Sequence, residues 1–406
     1  MGDNRFFRSA AVLLSLCAAS RLAAAAEGDK PLFPVALGFD FPQAKQSFEE
    51  VEGLILKNYY SPEVNEDALY YAAIAGMLRR ISPPDNPELG TIWAEKQYDK
   101  VRNALEGNEV SLGIEGQFNS ADGCLTVTGT LPGSSADGTI LPLDRILRFN
   151  GESLKGKSLQ DAKSVMDGVE GSTITFTVNR DIKVFEVTLK RTKFAERNLV
   201  VSPLTADIAL VEIKRFSEGI SGRLKSELEK LSAGKFKSLI LDLRNDPGGI
   251  FGEGVRVSEL FLPAKSVILR SYTRNGKFEQ LTSANPRPFQ FQIAILANKG
   301  SASSAEVVAG ALRDNNAAFI VGSRSMGKGV FETSYALKNN FKVKFITGAM
   351  FAPNGQAWQG KGIVPDFLVN QDESTVAQLA KLDVKERFNR DDAIITAVKL
   401  VLRGRK

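Results

Sequence analysis

The sequence predicts a multidomain α/β protein, with leading helices and a small β domain accompanying a larger strand–helix core. Three observations carry this. The chain has 406 residues, too many for one hydrophobic core at about 100–200 residues per domain. Between Leu210 and Val369, apolar runs (ALVEIKRF, SLILDLR, IAIL, AFIVG) each precede a turn or an amphipathic helix, the texture of βα units on a parallel sheet. Between Leu112 and Arg191, the short runs CLTVTGTL, RILRFNG, STITFTV and KVFEVTLKR alternate with Gly/Asp turns, and one helical stretch, SLQDAKSVMDGV, lies among them. That is a small barrel-like β domain with a helix.

The elements follow in order. Residues 1–26 read as an export signal. Arg5 and Arg8 precede an apolar stretch of 12 residues, Ser9 to Ser20, and Ala23 to Ala26 offers A-x-A cleavage sites. The stretch is shorter than the ~18 apolar residues of a membrane span. The expected location is the periplasm or the exterior, with the membrane involved only through the signal. A rival reading, lipid anchoring at Cys17, meets Leu16 where such signals carry a small residue. Cleavage removes three arginines (Arg5, Arg8, Arg21) and Asp3 from a net charge of +5, leaving +3. That surplus does not argue for nucleic acid or an anionic membrane. Cys17 leaves with the signal, so Cys124 has no partner and reads as a small buried hydrophobe.

Residues 27–108 are helical in pattern. Phe48, Val51, Ile55 and Tyr59 form one apolar stripe, and Ala68, Tyr71, Ala72, Ala75 and Leu78 form another, either for a core or for a dimer face. Pro83 and Pro84 stop the second helix. The β domain covers 109–192 and the βα core 193–370. In that core SLILDLR is apolar on both faces, as a central strand must be. Residues 371–406 are polar and charged with one helical pattern (Ala393, Val398, Leu400, Leu402), read as a surface helix with a frayed end.

Composition narrows the chemistry. With 43% hydrophobic, 24% charged and 8% aromatic residues the chain is an ordinary folded protein. It has no histidine, which excludes a Ser-His-Asp triad, a histidine–zinc site and a histidine base. Two cysteines allow neither a disulfide framework nor a four-cysteine metal site. A hydrolase here needs another base.

Ser303 and Lys328 are the sharpest pair. Asn298-Lys299-Gly300 is a turn after IAIL, and Ala305, Val308, Ala309 and Leu312 mark a helix face, so Ser303 sits at a helix N-terminus after a tight turn. There the free N–H groups and the helix dipole favour developing negative charge. A serine at such a place is more commonly a plain cap. Lys328 lies between two glycines after an apolar run. A lysine acts as a base only when neutral, which an apolar pocket favours. Two motifs overlap it misleadingly. Gly322 to Lys328 nearly matches a phosphate-binding loop, but Gly329 stands where a metal-binding hydroxyl belongs and VFETSYAL reads as strand. Ser325-x-x-Lys328 matches the motif of penicillin-binding enzymes, which needs a helical turn that Gly327 and Gly329 oppose. A third element, LILDLRNDPGGIFGEG, leads a buried strand into Gly248-Gly249, whose N–H groups suit an oxyanion hole. Asp242 and Arg244 beside it read as a structural brace. Around Leu112, Gly113 and Ile114, successive N–H groups suit a carboxylate.

Together LDLRNDPGG, NKGSASSAE, GSRSMGKG and APNGQAWQGKGIVPDF resemble the carboxyl-terminal processing, or tail-specific, proteases of the S41 peptidase family, over nearly the whole mature chain. The resemblance implies a serine endopeptidase with a ClpP/crotonase-like ββα core, an inserted PDZ domain and N-terminal helices. Ser303 matches the family nucleophile and Lys328 the general base 25 residues on. Gly249 or Gly248 and the N–H of Ser304 match the oxyanion positions. No metal or other cofactor is implied. The partners implied are protein or peptide substrates bound by their C-termini, and self-association of the chain is a further expectation. Two departures stand out. Glu332 occupies the place of a glutamine that orients the lysine, and a carboxylate there would favour charged lysine. PLDRIL replaces a GDxIL pattern. Glu332 motivates a second reading, a non-catalytic PDZ adaptor that keeps the protease fold.

Overall fold

The computed structural model describes residues 40–404, apart from 62, 84–88, 107–109, 120–121, 131–133, 142, 158–164, 167, 194–197, 275, 277, 372–374, 376–377 and 380–381. The export signal, Cys17 and Pro84 lie outside the described residues. So does most of SLQDAKSVMDGV, of which Val165 and Met166 are helical. The chain divides into two compact units. One comprises Met1–Tyr98, Arg270–Gln280 and Gly329–Gln359; the other comprises Asp99–Leu269, Leu281–Lys328 and Gly360–Lys406.

Helices α1 (Ala44–Asn58) and α2 (Glu66–Arg80) form where the apolar stripes predict them. Asn65 caps α2, its side chain accepting from the Ala68 N–H at 2.9 Å, and acidic Glu66 and Asp67 start a helix that ends on Arg79 and Arg80, as the dipole favours. Helix α1 buries none of its residues. Phe48 and Val51 are 43% and 54% exposed, so these stripe residues are not core in the single chain.

After β1 (Thr91–Trp93) and α3 (Glu95–Glu106) comes the β domain. It holds β2 (Val110–Ser111), β3 (Ile114–Asn119), β4 (Cys124–Thr130), β5 (Arg145–Phe149), β6 (Glu152–Ser153), β7 (Thr173–Arg180), β8 (Lys183–Lys190) and β9 (Thr192–Lys193). The order is β3-β4-β5-β7-β8, with β6 on β5, and neighbouring strands run antiparallel. Ile174, Phe176 and Val178 alternate inward along β7 and pack with Val127, Ile140, Ile146 and Phe149. Cys124 is buried and unbridged. Strand β2 pairs with β9, so the domain starts and ends at one place. Leu143, in the departing PLDRIL, takes φ 75°, a left-handed geometry that glycine adopts without strain.

The chain continues with β10 (Leu199–Pro203), β11 (Ile208–Ile213), α4 (Ile220–Ala233), β12 (Ser238–Asp242), α5 (Phe251–Phe261), β13 (Val267–Thr273), β14 (Phe278–Thr282), β15 (Gln292–Ala297), α6 (Ser304–Asp314) and β16 (Ala318–Gly322). Then follow β17 (Val330–Ala336), β18 (Lys342–Phe351), β19 (Phe367–Leu368), α7 (Val384–Arg390) and α8 (Asp392–Arg403). One sheet runs β10-β11-β12-β15-β16-β19, parallel from β11 onward with β10 an antiparallel edge. Every residue of β12 is buried, as its two apolar faces require. A second sheet runs β1-β18-β13-β14, with β17 on β18.

One face of the parallel sheet corrects the reading of the tail. Ile208, Leu210, Ile240, Ala294, Leu296 and Val321 pack against Ala393, Ile394, Ala397, Val398 and Val401 of α8. The last helix is therefore a wall of the core and not a surface appendage. The buried stripe includes Ile394 and Val401, whereas Leu402, placed on it from the sequence, is 46% exposed. Asp242 and Arg244 do form a brace. Arg244 grips Asp242 at 2.6 Å and Asp391 at 2.9 Å, while Arg387 reaches Glu212 at 2.7 Å and Asp242 at 3.3 Å. Burial alone would raise the Asp242 carboxyl, but the two guanidinium groups hold it below the usual carboxylate range.

Candidate active site

Strand β15 ends at Ala297, and the turn after it is held by side chains. The Asn298 Oδ1 accepts the N–H groups of Asn245 (2.9 Å) and Gly300 (3.0 Å), and Ser301 Oγ donates to the Leu243 carbonyl at 2.7 Å. Ser303 follows with φ 54° and ψ −116°, a glycine-like conformation that a serine keeps only when its surroundings impose it. This sharp turn presents a half-buried Ser303 at the start of α6. Ser304 is the first helical residue, so its N–H has no acceptor within the helix.

Glu306 organises the site, and the sequence reading passed over it. It is 1% exposed. Its Oε2 accepts the N–H of Ser303 at 2.9 Å and the N–H of Lys328 at 2.8 Å. Its Oε1 accepts the Gly327 N–H at 2.8 Å and the Ser325 hydroxyl at 2.5 Å. Two segments far apart in sequence thus meet at one carboxylate, and the Ser303 and Lys328 main chains share a single acceptor atom. Burial raises the Glu306 carboxyl above its usual range, opposed by the four donors. A local signal was present, since Ser303-x-x-Glu306 is the spacing of a capping box. Ser325 also accepts the Ile363 N–H at 2.7 Å and lies in a loop, not on a helical turn with Lys328. Lys328 is half-buried and precedes strand β17, so neither misleading motif has its required helix.

The two glycines differ. The Phe216 N–H donates to the Gly248 carbonyl (2.9 Å), and the Ile250 N–H donates to the Phe216 carbonyl (2.8 Å). That parallel bridge leaves the N–H and C=O of Gly249 facing the other way, where its carbonyl accepts from Ser304 Oγ at 3.5 Å. The Gly248 N–H donates to Asp246 Oδ1 at 2.8 Å. Gly248, at φ 90°, lies so close to the Ser303 turn that a Cβ would stand 2.8 Å from the Ser303 Cβ. Asp246 is fully buried, and burial lifts its carboxyl well above the usual range, against the pull of the Gly248 N–H and Arg215.

The other residues singled out from the sequence have partners of their own. The Glu332 carboxylate, on β17, faces the Lys344 ammonium of β18 at 3.6 Å. In the β domain Leu112 is buried and its carbonyl accepts the Ala136 N–H at 3.2 Å. Gly113, at φ 73°, donates its N–H to Ser111 Oγ at 3.0 Å, and Ile114 opens β3. Among the described residues no three His, Cys, Asp or Glu side chains are grouped to hold a metal ion.

Residues 207–369 match the family described as peptidase family S41. A CtpA-like serine protease of Staphylococcus aureus (strain MRSA252) is 30% identical over 359 residues, which cover 87% of this chain and 70% of that protein. The similar protein of Staphylococcus saprophyticus is 26% identical over 371 residues, 90% of this chain and 74% of that one. Two solved structures share the fold. The photosystem II D1 C-terminal processing protease aligns with TM-score 0.51 and 22% identity over 84% of this chain and 93% of its own. A protein from Bacteroides fragilis assigned to the S41 proteases aligns with TM-score 0.59 and 13% identity over 91% of this chain and 100% of its own. With the parallel-sheet core and the relative spanning most of both chains, this chain belongs to peptidase family S41, with the CtpA-like serine proteases.

Proposed function

We propose that the chain is an exported serine endopeptidase that recognises protein substrates by their C-terminal segment and cleaves them with a Ser303–Lys328 dyad. The observation that carries the reading is the shared Glu306 carboxylate, which ties the Ser303 turn to the Lys328 loop through main-chain bonds of 2.9 and 2.8 Å. A dyad separated by 25 residues needs such a tie.

In the first half of the reaction Ser303 Oγ attacks the scissile carbonyl carbon while neutral Lys328 Nζ takes the hydroxyl proton. The oxyanion is met by the N–H groups of Gly249 and Ser304. Collapse breaks the C–N bond, and the lysine returns its proton to the leaving amine. In the second half water attacks the Ser303 ester, Lys328 takes a proton from that water, and the ester oxygen leaves with a proton to restore Ser303. Gly248 supports the oxyanion site through its turn. Glu332 takes the orienting place that glutamine holds in the resembling family, its charge offset by Lys344.

The β domain at 109–192 is assigned as a PDZ domain. Leu112, Gly113 and Ile114 would receive the substrate carboxylate while the substrate adds as a strand, so side-chain pockets select apolar tails. Residues 1–26 direct export, and the exposed apolar stripe of α1 is the face for a second copy of the chain. The test is cleavage of an unfolded model protein with an apolar C-terminus. Ser303→Ala and Lys328→Ala each abolish cleavage with unchanged thermal unfolding; cleavage retained by either contradicts the dyad. Wild type that binds such tails without turnover, indistinguishable from Ser303→Ala, would instead favour the adaptor.

A further inference from the structure

Asp246 is a carboxyl group that the proposed chemistry does not use. It is 0% exposed, and among the described residues its Oδ2 is buried without a hydrogen-bond partner. No cation sits in contact distance among the described residues. Its other polar atoms are all engaged in one small region. Oδ1 holds the Gly248 N–H at 2.8 Å, its carbonyl accepts the Ala302 N–H at 2.9 Å, and its own N–H reaches the Leu243 carbonyl at 3.3 Å. Asp246 therefore joins the glycine turn to the residue just before the nucleophile.

We propose that Asp246 is a positioning residue of the oxyanion site, holding the Gly248 amide turned away so that the Gly249 amide, beside Ser304, meets the substrate oxygen. This rests on the reading of Ser303 as nucleophile. The geometry also fixes the form in which Asp246 works. A carboxylate this close to the oxyanion would repel the charge that develops there, in a site with little water to screen it. The neutral acid keeps the acceptor for Gly248 and adds no charge. The ionisable groups around it agree. The Gly248 N–H and the charge of Arg215 draw the carboxyl down, and burial outweighs both. From the strand side, Asp242 and Arg244 are bonded to each other. From the helix side, Glu306 is taken up by its four donors. Lys328 is the base itself and neutral when acting.

The test uses the full chain and a peptide ending in apolar residues, with kcat and KM measured across pH for wild type, Asp246→Asn, Asp246→Leu and Ser303→Ala. Asparagine keeps a neutral acceptor at the same reach, so Asp246→Asn retains kcat within ~10-fold near neutral pH and lacks the alkaline fall that the proposal predicts for wild type. Leucine cannot accept the Gly248 N–H, so Asp246→Leu loses ~10²–10³ in kcat with KM little changed, the scale of a lost oxyanion donor. If Asp246→Leu does not fold, the asparagine profile decides alone. Superimposable wild-type and Asp246→Asn profiles, or an asparagine variant as impaired as the leucine one, overturn the proposal. Cleavage by Ser303→Ala would instead overturn the dyad beneath it.

Discussion

Glu306 and Asp246 are both carboxyl groups taken out of water beside the Ser303 turn, and burial raises both above the usual carboxylate range. They differ in their donors. Glu306 accepts three N–H groups and one hydroxyl, two on each oxygen, whereas one N–H meets Asp246. Glu306→Gln therefore sets an amide NH2 against donors it cannot accept, leaving two buried donors unpaired at about 1–3 kcal/mol each. The expected outcome is a denaturant midpoint below wild type and kcat reduced ~100-fold as the Ser303 turn and the Lys328 loop lose their tie. Wild-type activity in that variant would show that the tie is dispensable. For Asp246 the linkage has a definite sign. An acid raised by folding binds its proton more tightly in the native state, so stability falls as pH rises from the unfolded value, ~3.9, to the native one. Asp246→Asn is free of this loss. Its unfolding free energy exceeds that of wild type near neutral pH, and the difference shrinks as pH falls toward 4. A pH-independent difference would contradict this.

Among the elements, α8 shows how a sequence pattern can be read one phase out. Ala393, Val398, Leu400 and Leu402 suggested a helix, which is present, but burial falls on Ala393, Ile394, Ala397, Val398 and Val401. A short amphipathic helix near a chain end looks alike whether it skirts a domain or walls its core. The difference is the sheet face across from it, which is remote in sequence. Ile394 is 0% exposed against that face, so Ile394→Ala lowers the unfolding free energy by about 2–5 kcal/mol, read from urea titrations. A change within about 0.5 kcal/mol, as for an exposed site, would contradict the core placement. Helix α1 is the converse. Its apolar spacing was plain, but spacing does not say whether the partner is this chain, and Phe48 and Val51 remain exposed.

For the whole molecule, the elements around Ser303 and Lys328 were legible because local rules and long-range needs coincide there. SLILD is apolar on both faces and is the fully buried β12; the turn before Ala305 puts Ser303 at a helix start; the strand after Gly329 is β17. What brings Ser303 and Lys328 to one carboxylate is burial of Glu306, and no local window reports burial. Asp246 was invisible for the same reason, as an aspartate before proline and glycine looks like any turn residue until its surroundings close over it. The central claim is covalent: Ser303 Oγ becomes acylated during turnover. Acid quenching of the full chain during cleavage of a peptide substrate, followed by mass spectrometry, tests it. The account predicts an ester-linked acyl fragment on the peptide carrying Ser303, absent in Lys328→Ala. An acyl fragment on another residue, or Ser303→Ala turning over substrate as wild type does, would contradict it.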